Sequence, residues 1–295
     1  MEHDYAGKSV QVLKITGTLN KKDMIRYGVP DGSDGGVFFW KQADMLEAVQ
    51  RKYGQTKRFH MAWQREEGKY CFATYESYKL YTQALLKLPV DKRFGFETIR
   101  QDTPACLFLD VEWYGEEDPE KYIIRLCKVI CDDVEVYYKV KTVPQISKGS
   151  RLTQEGQMKN SFHIVTPGVI FSNIHGNAMR NYVISLKKIM GEVNSDGTLH
   201  KDGIDIAVYT RNRIFRTILC SKRQYPDCPL RNVTMDSFCH NGTSLSDRIY
   251  ADNEEGALGN FSITENDNTG HPHVFIEGNA IAVDVVKSDG KRAKK

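Results

Sequence analysis

Leu107-Phe-Leu-Asp110-Val-Glu112 is an apolar run that ends in two acidic residues, and it is the most informative stretch of this chain. In an extended strand, successive side chains point to opposite faces, so Asp110 and Glu112 project from the same side. Adjacent carboxylates repel each other and desolvate poorly unless a cation lies between them. Oxygen ligands suit magnesium or manganese. The stretch therefore predicts a buried strand that presents part of a metal site.

Two later stretches carry matching chemistry. Lys159-Asn-Ser161-Phe-His163 reads as a strand, and alternation places Ser161 and His163 on one face with Phe162 in the core. Asp205 precedes the run from Val208 to Arg216, Val-Tyr-Thr-Arg-Asn-Arg-Ile-Phe-Arg. Asp205 supplies a third carboxylate, and the basic residues of the run are the expected donors to a polyanionic phosphate chain.

In order, spacing and local residues, the three stretches resemble the catalytic core of the archaeo-eukaryotic primase superfamily. The match is strongest with its primase-polymerase branch, which includes the primases of herpesviruses and large DNA viruses, and it covers roughly residues 60–225. The resemblance implies an α/β (α+β) fold, in which an RRM-like mixed sheet flanked by helices is joined to a small N-terminal α/β module. It also implies an enzyme, a DNA primase or DNA-directed polymerase.

The activity implied is two-metal nucleotidyl transfer from dNTPs or NTPs on a single-stranded DNA template, in priming, repriming or damage-tolerant extension. The implied cofactor is Mn²⁺ or Mg²⁺, and the implied catalytic metal ligands are Asp110, Glu112 and Asp205. The implied nucleotide-binding residues are Lys159, Ser161, His163, Arg213, Arg216, Lys222 and, in the N-terminal module, Arg65. The candidate DNA-binding residues are Arg211 and Arg223.

Zinc is not expected in this chain. Full-length proteins of the primase-polymerase branch carry a C-terminal zinc module used in primer initiation. The residues of this chain to compare with it are Cys220, Cys228, Cys239 and His240. Seven residues separate Cys220 from Cys228, whereas structural zinc sites use a shorter spacing. Without that module, the resemblance does not imply autonomous priming. The partners implied are a single-stranded template, a primer and a nucleotide, with a helicase or single-strand-binding protein as further candidates.

Composition sets only broad bounds. The chain has 295 residues and a formal net charge of +3, which neither demands nor excludes nucleic acid. No apolar stretch approaches a membrane span and no secretory signal is visible, so an intracellular location is predicted: nucleus, mitochondrion or viral replication site. The predicted organisation is an N-terminal extension or linker (1–36), an N-terminal α/β module (37–105), a catalytic module (106–250) and a partly disordered tail (251–295).

Apolar periodicity places the elements. Helices are expected around Met45 to Val49 and over about 77–88, 121–139 and 177–190. Strands are expected at 61–63, 70–74, 103–113 and 161–165, at Val208 with 214–220, and near 274–276 and 281–286.

Two other functional classes compete with a polymerase. A rolling-circle replication endonuclease needs two histidines flanking an apolar residue on a strand, but position 161 is serine, so only His163 is present. A non-catalytic nucleic-acid-binding module would present exposed aromatic side chains on its sheet, where this chain places carboxylates. Buried carboxylates without a metal are costly, which argues against a pure binder.

Overall fold

A computed structural model describes residues 17–54, 56–101, 103–115, 119–172, 174, 177–191, 203–233, 239–240, 243–244, 258, 261–264 and 274–276. These residues form a mixed α/β structure with two mainly antiparallel sheets, as the sequence predicts at the level of fold class. None of the helices in these ranges is long and apolar enough to cross a lipid bilayer.

The helices are α1 (Lys21–Tyr27), α2 (Gln42–Tyr53), α3 (Tyr78–Leu86), α4 (Pro119–Tyr138) and α5 (Asn177–Met190), with short 3-10 helices at Val90–Lys92 and Ile206–Val208. The strands are β1 (Val37–Phe39), β2 (Phe59–Glu66), β3 (Lys69–Tyr75), β4 (Gly95–Ile99), β5 (Ala105–Tyr114), β6 (Gln145–Lys148), β7 (Arg151–Leu152), β8 (Met158–Phe171), β9 (Arg213–Arg216), β10 (Arg231–Asn232), β11 (Cys239–His240), β12 (Thr243–Ser244) and β13 (Val274–Ile276).

The first sheet has the strand order β1-β3-β2-β4-β9. Its core lies under α3, where the buried ring of Tyr81 packs against the rings of Phe59, Trp63 and Tyr75. The edge strand β9 comes from far along the chain and pairs antiparallel with β4, with Phe215 opposite Glu97. Part of the basic run therefore belongs to the sheet that the first hundred residues build.

The second sheet is centred on β8, which pairs with β5 along one edge and with β6 and β7 along the other. Ile204 continues the sheet beyond β5 through an antiparallel bridge to Val111. Along the chain this unit runs β5, α4, β6, β8, α5 and the Ile204 bridge, with the two-residue strand β7 between β6 and β8. This is a split βαβ arrangement. Both helices have an apolar side that is buried, as their helical period predicts.

Strand β8 is longer than the apolar pattern predicts, because it continues through Pro167 and Gly168. The register with β5 shifts between Cys106 and Leu107. A bulge of this kind accommodates a proline, which has no N–H for the ladder, and Gly168 adopts the positive φ of 79° that favours glycine. The strand expected over 214–220 is shorter than predicted, because Leu219 takes a left-handed φ of 65° and turns the chain.

Part of the predicted N-terminal extension is ordered structure. Residues 1–16 lie outside the described ranges, but α1 follows at once, and Leu19, Met24 and Val29 are buried in the core. Arg223 Nη2 donates to the carbonyl of Tyr27 at 2.6 Å, which ties the end of α1 to the later part of the chain. Polar, turn-rich composition concealed this helix because only a few of its residues face the core.

Most of the predicted tail, 251–295, lies outside the described ranges, including the strand expected at 281–286. The expected strand at 274–276 is β13, which pairs parallel with β8. Residues 261–264 are held by the buried carboxylate of Glu97, which accepts from the backbone N–H of Ile263 (3.0 Å) and Thr264 (2.7 Å) and from the Thr264 hydroxyl (2.5 Å). This contact fastens the second half of the chain to β4.

Candidate functional site

The first two sequence motifs meet as direct cross-strand pairs. In the β5–β8 ladder, Asp110 lies opposite His163 and Glu112 lies opposite Ser161. The next pair on the same face joins Tyr114 to Lys159. Directly opposed residues in an antiparallel pair share a face, so the carboxylates and the polar residues of the second motif form one surface. We call this surface the carboxylate face.

The segment 203–209 brings the third carboxylate to the outer edge of β5. The N–H of Asp205 donates to the carbonyl of Asp110 at 2.8 Å, and the N–H of Glu112 donates to the carbonyl of Gly203 at 2.7 Å. The Asp205 side chain caps the short 3-10 helix by accepting from the N–H of Ala207 at 2.8 Å. The buried hydroxyl of Tyr209 donates to the carbonyl of Phe108 and helps to fix this segment on β5.

Glu112 is held ionised by its neighbours. Lys159 Nζ donates to Oε2 at 2.5 Å, and Ser161 Oγ donates to Oε1 at 3.2 Å. Burial disfavours the charged form, but the hydrogen bond and charge of Lys159, with help from Lys222 and Ser161, outweigh it and lower the pKa of Glu112. In this state Lys159 neutralises the carboxylate that the sequence predicts as a metal ligand.

Asp110 has no such support. Its Oδ1 is buried and accepts no hydrogen bond from the described residues, and the nearest histidine nitrogen, His163 Nε2, is 3.7 Å away. Burial, followed by the charges of Glu112 and Asp205, raises the pKa of Asp110 from 3.8 to about 7. A buried, unpartnered oxygen beside two other carboxylates is chemically suited to a hard divalent cation.

The described side chains do not, as they stand, form a closed metal cage. Within those ranges, no three histidine, cysteine, aspartate or glutamate side chains converge as a ready-made metal cluster. The donor set nevertheless fits a hard cation, because the charges of Glu112 and Asp205 both act on Asp110, whose oxygen lacks a partner. Of the residues compared for zinc, Cys220 is buried and Cys228 is half-buried.

His163 is buried as a neutral ring. Its Nδ1 lies 3.2 Å from the carbonyl oxygen of Arg216, and its ring packs on Phe215 with a centroid separation of 4.1 Å. A carbonyl can only accept, so Nδ1 carries the proton and Nε2 presents a lone pair. Burial, with the charges of Arg216 and Lys222, lowers the pKa of His163 well below its usual value.

Arg216 and Lys222 bring positive charge to the carboxylate face. Arg216 is buried, and its Nε has no hydrogen-bond partner among the described residues. Burial lowers its pKa while the charges of Asp110 and Glu112 oppose that change. Burial and the charge of Arg216 also lower the pKa of Lys222, again against the pull of Glu112 and Asp110. The structure thus brings both predicted cations beside the predicted metal ligands.

Arg213 and Arg65 lie near Tyr70 of the first sheet. Burial raises the pKa of Tyr70, and the nearby charge of Arg213 opposes that rise. Arg65 Nε donates to the carbonyl of Tyr70 at 3.4 Å, and its guanidinium lies over the rings of Tyr27 and Trp40. Arg65 is therefore half-buried among these partners, and its nucleotide contact stays a prediction.

The two candidate DNA contacts differ. Arg211 is exposed. Arg223 is half-buried, and its N–H groups donate to carbonyls inside the protein. Its Nε donates to the carbonyl of Gln64 at 3.2 Å and its Nη2 to the carbonyl of Tyr27. The guanidinium also lies over the ring of Phe94. These contacts give Arg223 a structural role that joins α1, β2 and β4.

Sequence reasoning missed Arg151. In register, Arg151 of β7 lies opposite Lys159, and its guanidinium carbon is 4.1 Å from the ring centroid of Tyr225. The preceding Gly149 leaves room for Arg216, because a Cβ there would lie 3.0 Å from Arg216 Nη2. An isolated arginine in a turn-rich stretch gives no signal in the sequence, since its place depends on the pairing of β7 with β8.

No known family model matches the chain. Over 187 residues the chain is 29% identical to the uncharacterized protein ORF49 of Ostreid herpesvirus 1 (isolate France). The match covers 56% of this chain and 16% of the viral protein, so the chain spans less than a fifth of that relative's length. The name of the relative states no activity, and the functional argument therefore rests on the geometry of the site.

Proposed function

We propose that this chain is a DNA-dependent nucleotidyltransferase of the primase-polymerase type, which adds nucleotides from (d)NTPs to a strand on a single-stranded DNA template. The observation that carries the proposal is the β5–β8 register, in which Asp110 opposes His163 and Glu112 opposes Ser161, with Asp205 fastened to the same strand. The strand order in the second sheet is the Ile204 bridge, β5, β8 and β6. This is the order expected of an RRM-like sheet, and it supports the proposal that the α+β fold is a primase core.

Asp110, Glu112 and Asp205 would hold the divalent cations, Mn²⁺ or Mg²⁺. When bound in such a site, two metal ions activate the attacking hydroxyl and stabilise the leaving pyrophosphate. The protein's own task is to keep these three acids together despite their mutual repulsion, which the backbone bonds between β5 and the segment 203–205 accomplish.

The cations of the site supply the counter-charge for a triphosphate. Arg216 and Lys222 lie close enough to the carboxylates for their charges to act on one another. Lys159 now pairs with Glu112, and in the proposed reaction it exchanges that carboxylate for a phosphate oxygen. The Nδ1–H of His163 donates to the Arg216 carbonyl, so the Nε2 atom beside Asp110 is unprotonated. The neutral ring therefore adds no positive charge next to the metal ligands.

The test is primer extension on a single-stranded DNA template with Mn²⁺, comparing wild type with Asp110→Asn. The substitution preserves shape but removes the charge, and we expect incorporation to fall by about a hundredfold or more. Asp91→Asn is the matched control, because Asp91 is an exposed aspartate, 57% accessible, on a short 3-10 helix. Full incorporation by Asp110→Asn would sink the proposal.

A second assay separates the rival classes. A pure nucleic-acid binder would bind the template without incorporating nucleotides, and a replication endonuclease would cleave it. Omitting the primer from the same reaction then distinguishes a primase, which makes product, from a polymerase, which does not.

A further inference from the structure

The cationic side chains beside the carboxylate face extend across the second sheet, from β5 towards β7. The carboxylates stand on β5, the second motif stands on β8, and Arg151 stands on β7 at the far edge of β8. Arg216 lies over Gly149, just before β7. Neighbouring strands are about 4.8 Å apart, so β7 lies about 10 Å from β5 across the sheet. In register, Arg151 is also two residues beyond Glu112 along the strands, an offset of about 7 Å. The long Arg151 side chain covers part of this separation, so its guanidinium can meet the last phosphate of a triphosphate whose α-phosphate is at the carboxylates.

Arg151 is held in place without using all of its donors. Its guanidinium stacks on the ring of Tyr225, and Tyr225 is bridged to Lys222 across a tight turn. Arg151 Nε is buried and has no hydrogen-bond partner among the described residues. Arg216 Nη2 lies beside Gly149, only two residues before Arg151, so the two arginines share this edge of the sheet. Like charges held together with unpaired donors indicate a site for an anion.

We infer that Arg151 binds the terminal phosphate of the incoming nucleoside triphosphate, so that the phosphate chain crosses the sheet from β5 to β7. The inference rests on the proposed function, and it adds the direction of the bound nucleotide and a residue that recognises its third phosphate. Lys159 and Arg216 lie between the carboxylates and Arg151 and contact the inner phosphates. A diphosphate ends short of Arg151.

The experiment measures equilibrium binding of a deoxynucleoside triphosphate with a non-hydrolysable α,β-imido link, and of the matching diphosphate, both with Mn²⁺. In Arg151→Ala we expect the triphosphate Kd to rise about tenfold or more, as for loss of a charge-assisted contact, with the diphosphate Kd changed by less than about twofold. Arg151→Lys should recover part of the loss. Arg180→Ala, at an exposed arginine on α5, is the matched control and should change neither.

If Arg151→Ala weakened the binding of both nucleotides equally, or changed the binding of neither, the assignment of Arg151 would be overturned. Weaker binding of a template strand with unchanged triphosphate binding would also overturn it and give Arg151 to DNA. Failure of the proposed function would give a different result. Either the wild type would bind neither nucleotide, or the Asp110→Asn variant would bind both nucleotides as tightly as the wild type does. Thermal unfolding of each variant identifies a loss of fold, and Arg151→Lys keeps the test valid if the alanine variant unfolds.

Discussion

Removing the charge of Asp110 should stabilise the metal-free protein. The pKa of its carboxyl rises from 3.8 to about 7 in the folded state, where Oδ1 is buried without a hydrogen-bond partner. Each pKa unit corresponds to about 1.4 kcal/mol, so ionising Asp110 costs the folded state up to about 4 kcal/mol. Asparagine has the same shape and no charge, and the Asp110→Asn variant should gain about 2 to 4 kcal/mol of unfolding free energy above pH 7.

The direction in which the unfolding free energy changes with pH follows from proton linkage. Between about pH 4 and pH 7 the folded state keeps the Asp110 proton and the unfolded state loses it, so the wild type loses stability as the pH rises through this window. The advantage of Asp110→Asn should therefore be largest at pH 8.5 and shrink towards zero near pH 4.

Urea unfolding in EDTA, followed by tryptophan fluorescence, measures this difference. Asp91→Asn is the control and should stay within about 0.5 kcal/mol of wild type. With Mn²⁺ at a thousand times its Kd the order should reverse, because the ligand then stabilises the wild type by about 4.1 kcal/mol and binds the variant only weakly. A variant no more stable than wild type at pH 8.5 in EDTA would show that ionised Asp110 does not destabilise the folded state. Equal stabilisation of both proteins by Mn²⁺ would refute its role as a ligand.

Three further substitutions test other parts of the structure. In Gly149→Ala, the new Cβ would lie 3.0 Å from Arg216 Nη2 and 3.0 Å from Cδ2 of the buried Leu230, so both side chains must shift; we expect incorporation to fall about ten- to hundredfold with a melting temperature only slightly lower, and unchanged activity would contradict the placement of Arg216. Glu97→Ala removes the acceptor that holds Thr264, and urea unfolding should show a loss of about 2 to 4 kcal/mol, whereas a loss below 1 kcal/mol would argue against this anchor. Arg223→Ala should cost about 1 to 3 kcal/mol of stability but leave the salt dependence of DNA affinity unchanged; a slope reduced by about one would return Arg223 to the DNA contacts.

Local pattern was enough to place most elements. The helix expected at 177–190 is α5 with those bounds, and the alternation of the Asp-x-Glu and Ser-x-His stretches correctly predicted which side chains share a face. These features depend on residues a few positions apart, where the helical and strand periods are fixed by backbone geometry.

Long-range pairing was not predictable in the same way. Nothing in the sequence of β9 indicates that it pairs with β4, or that the carbonyl of Arg216 receives the His163 N–H. Likewise, Arg151 joins the site only because the β7–β8 hairpin sets its register. The internal contacts of Arg223 were unpredictable for a related reason: a basic run identifies positive charge but cannot show that its N–H groups donate to carbonyls inside the protein.

The place of β9 has a consequence for modularity. His163 and Arg216 are joined by a hydrogen bond, yet they stand on different sheets, and β9 is anchored through β4 to residues from the first third of the chain. Moving only the second sheet into another scaffold would transfer Asp110 and Glu112. Arg216 would be left behind, because its strand β9 belongs to the first sheet. The proposed activity should therefore be transferable only with both sheets, and chimaeras between related chains should keep it only when their breakpoints lie outside both sheets.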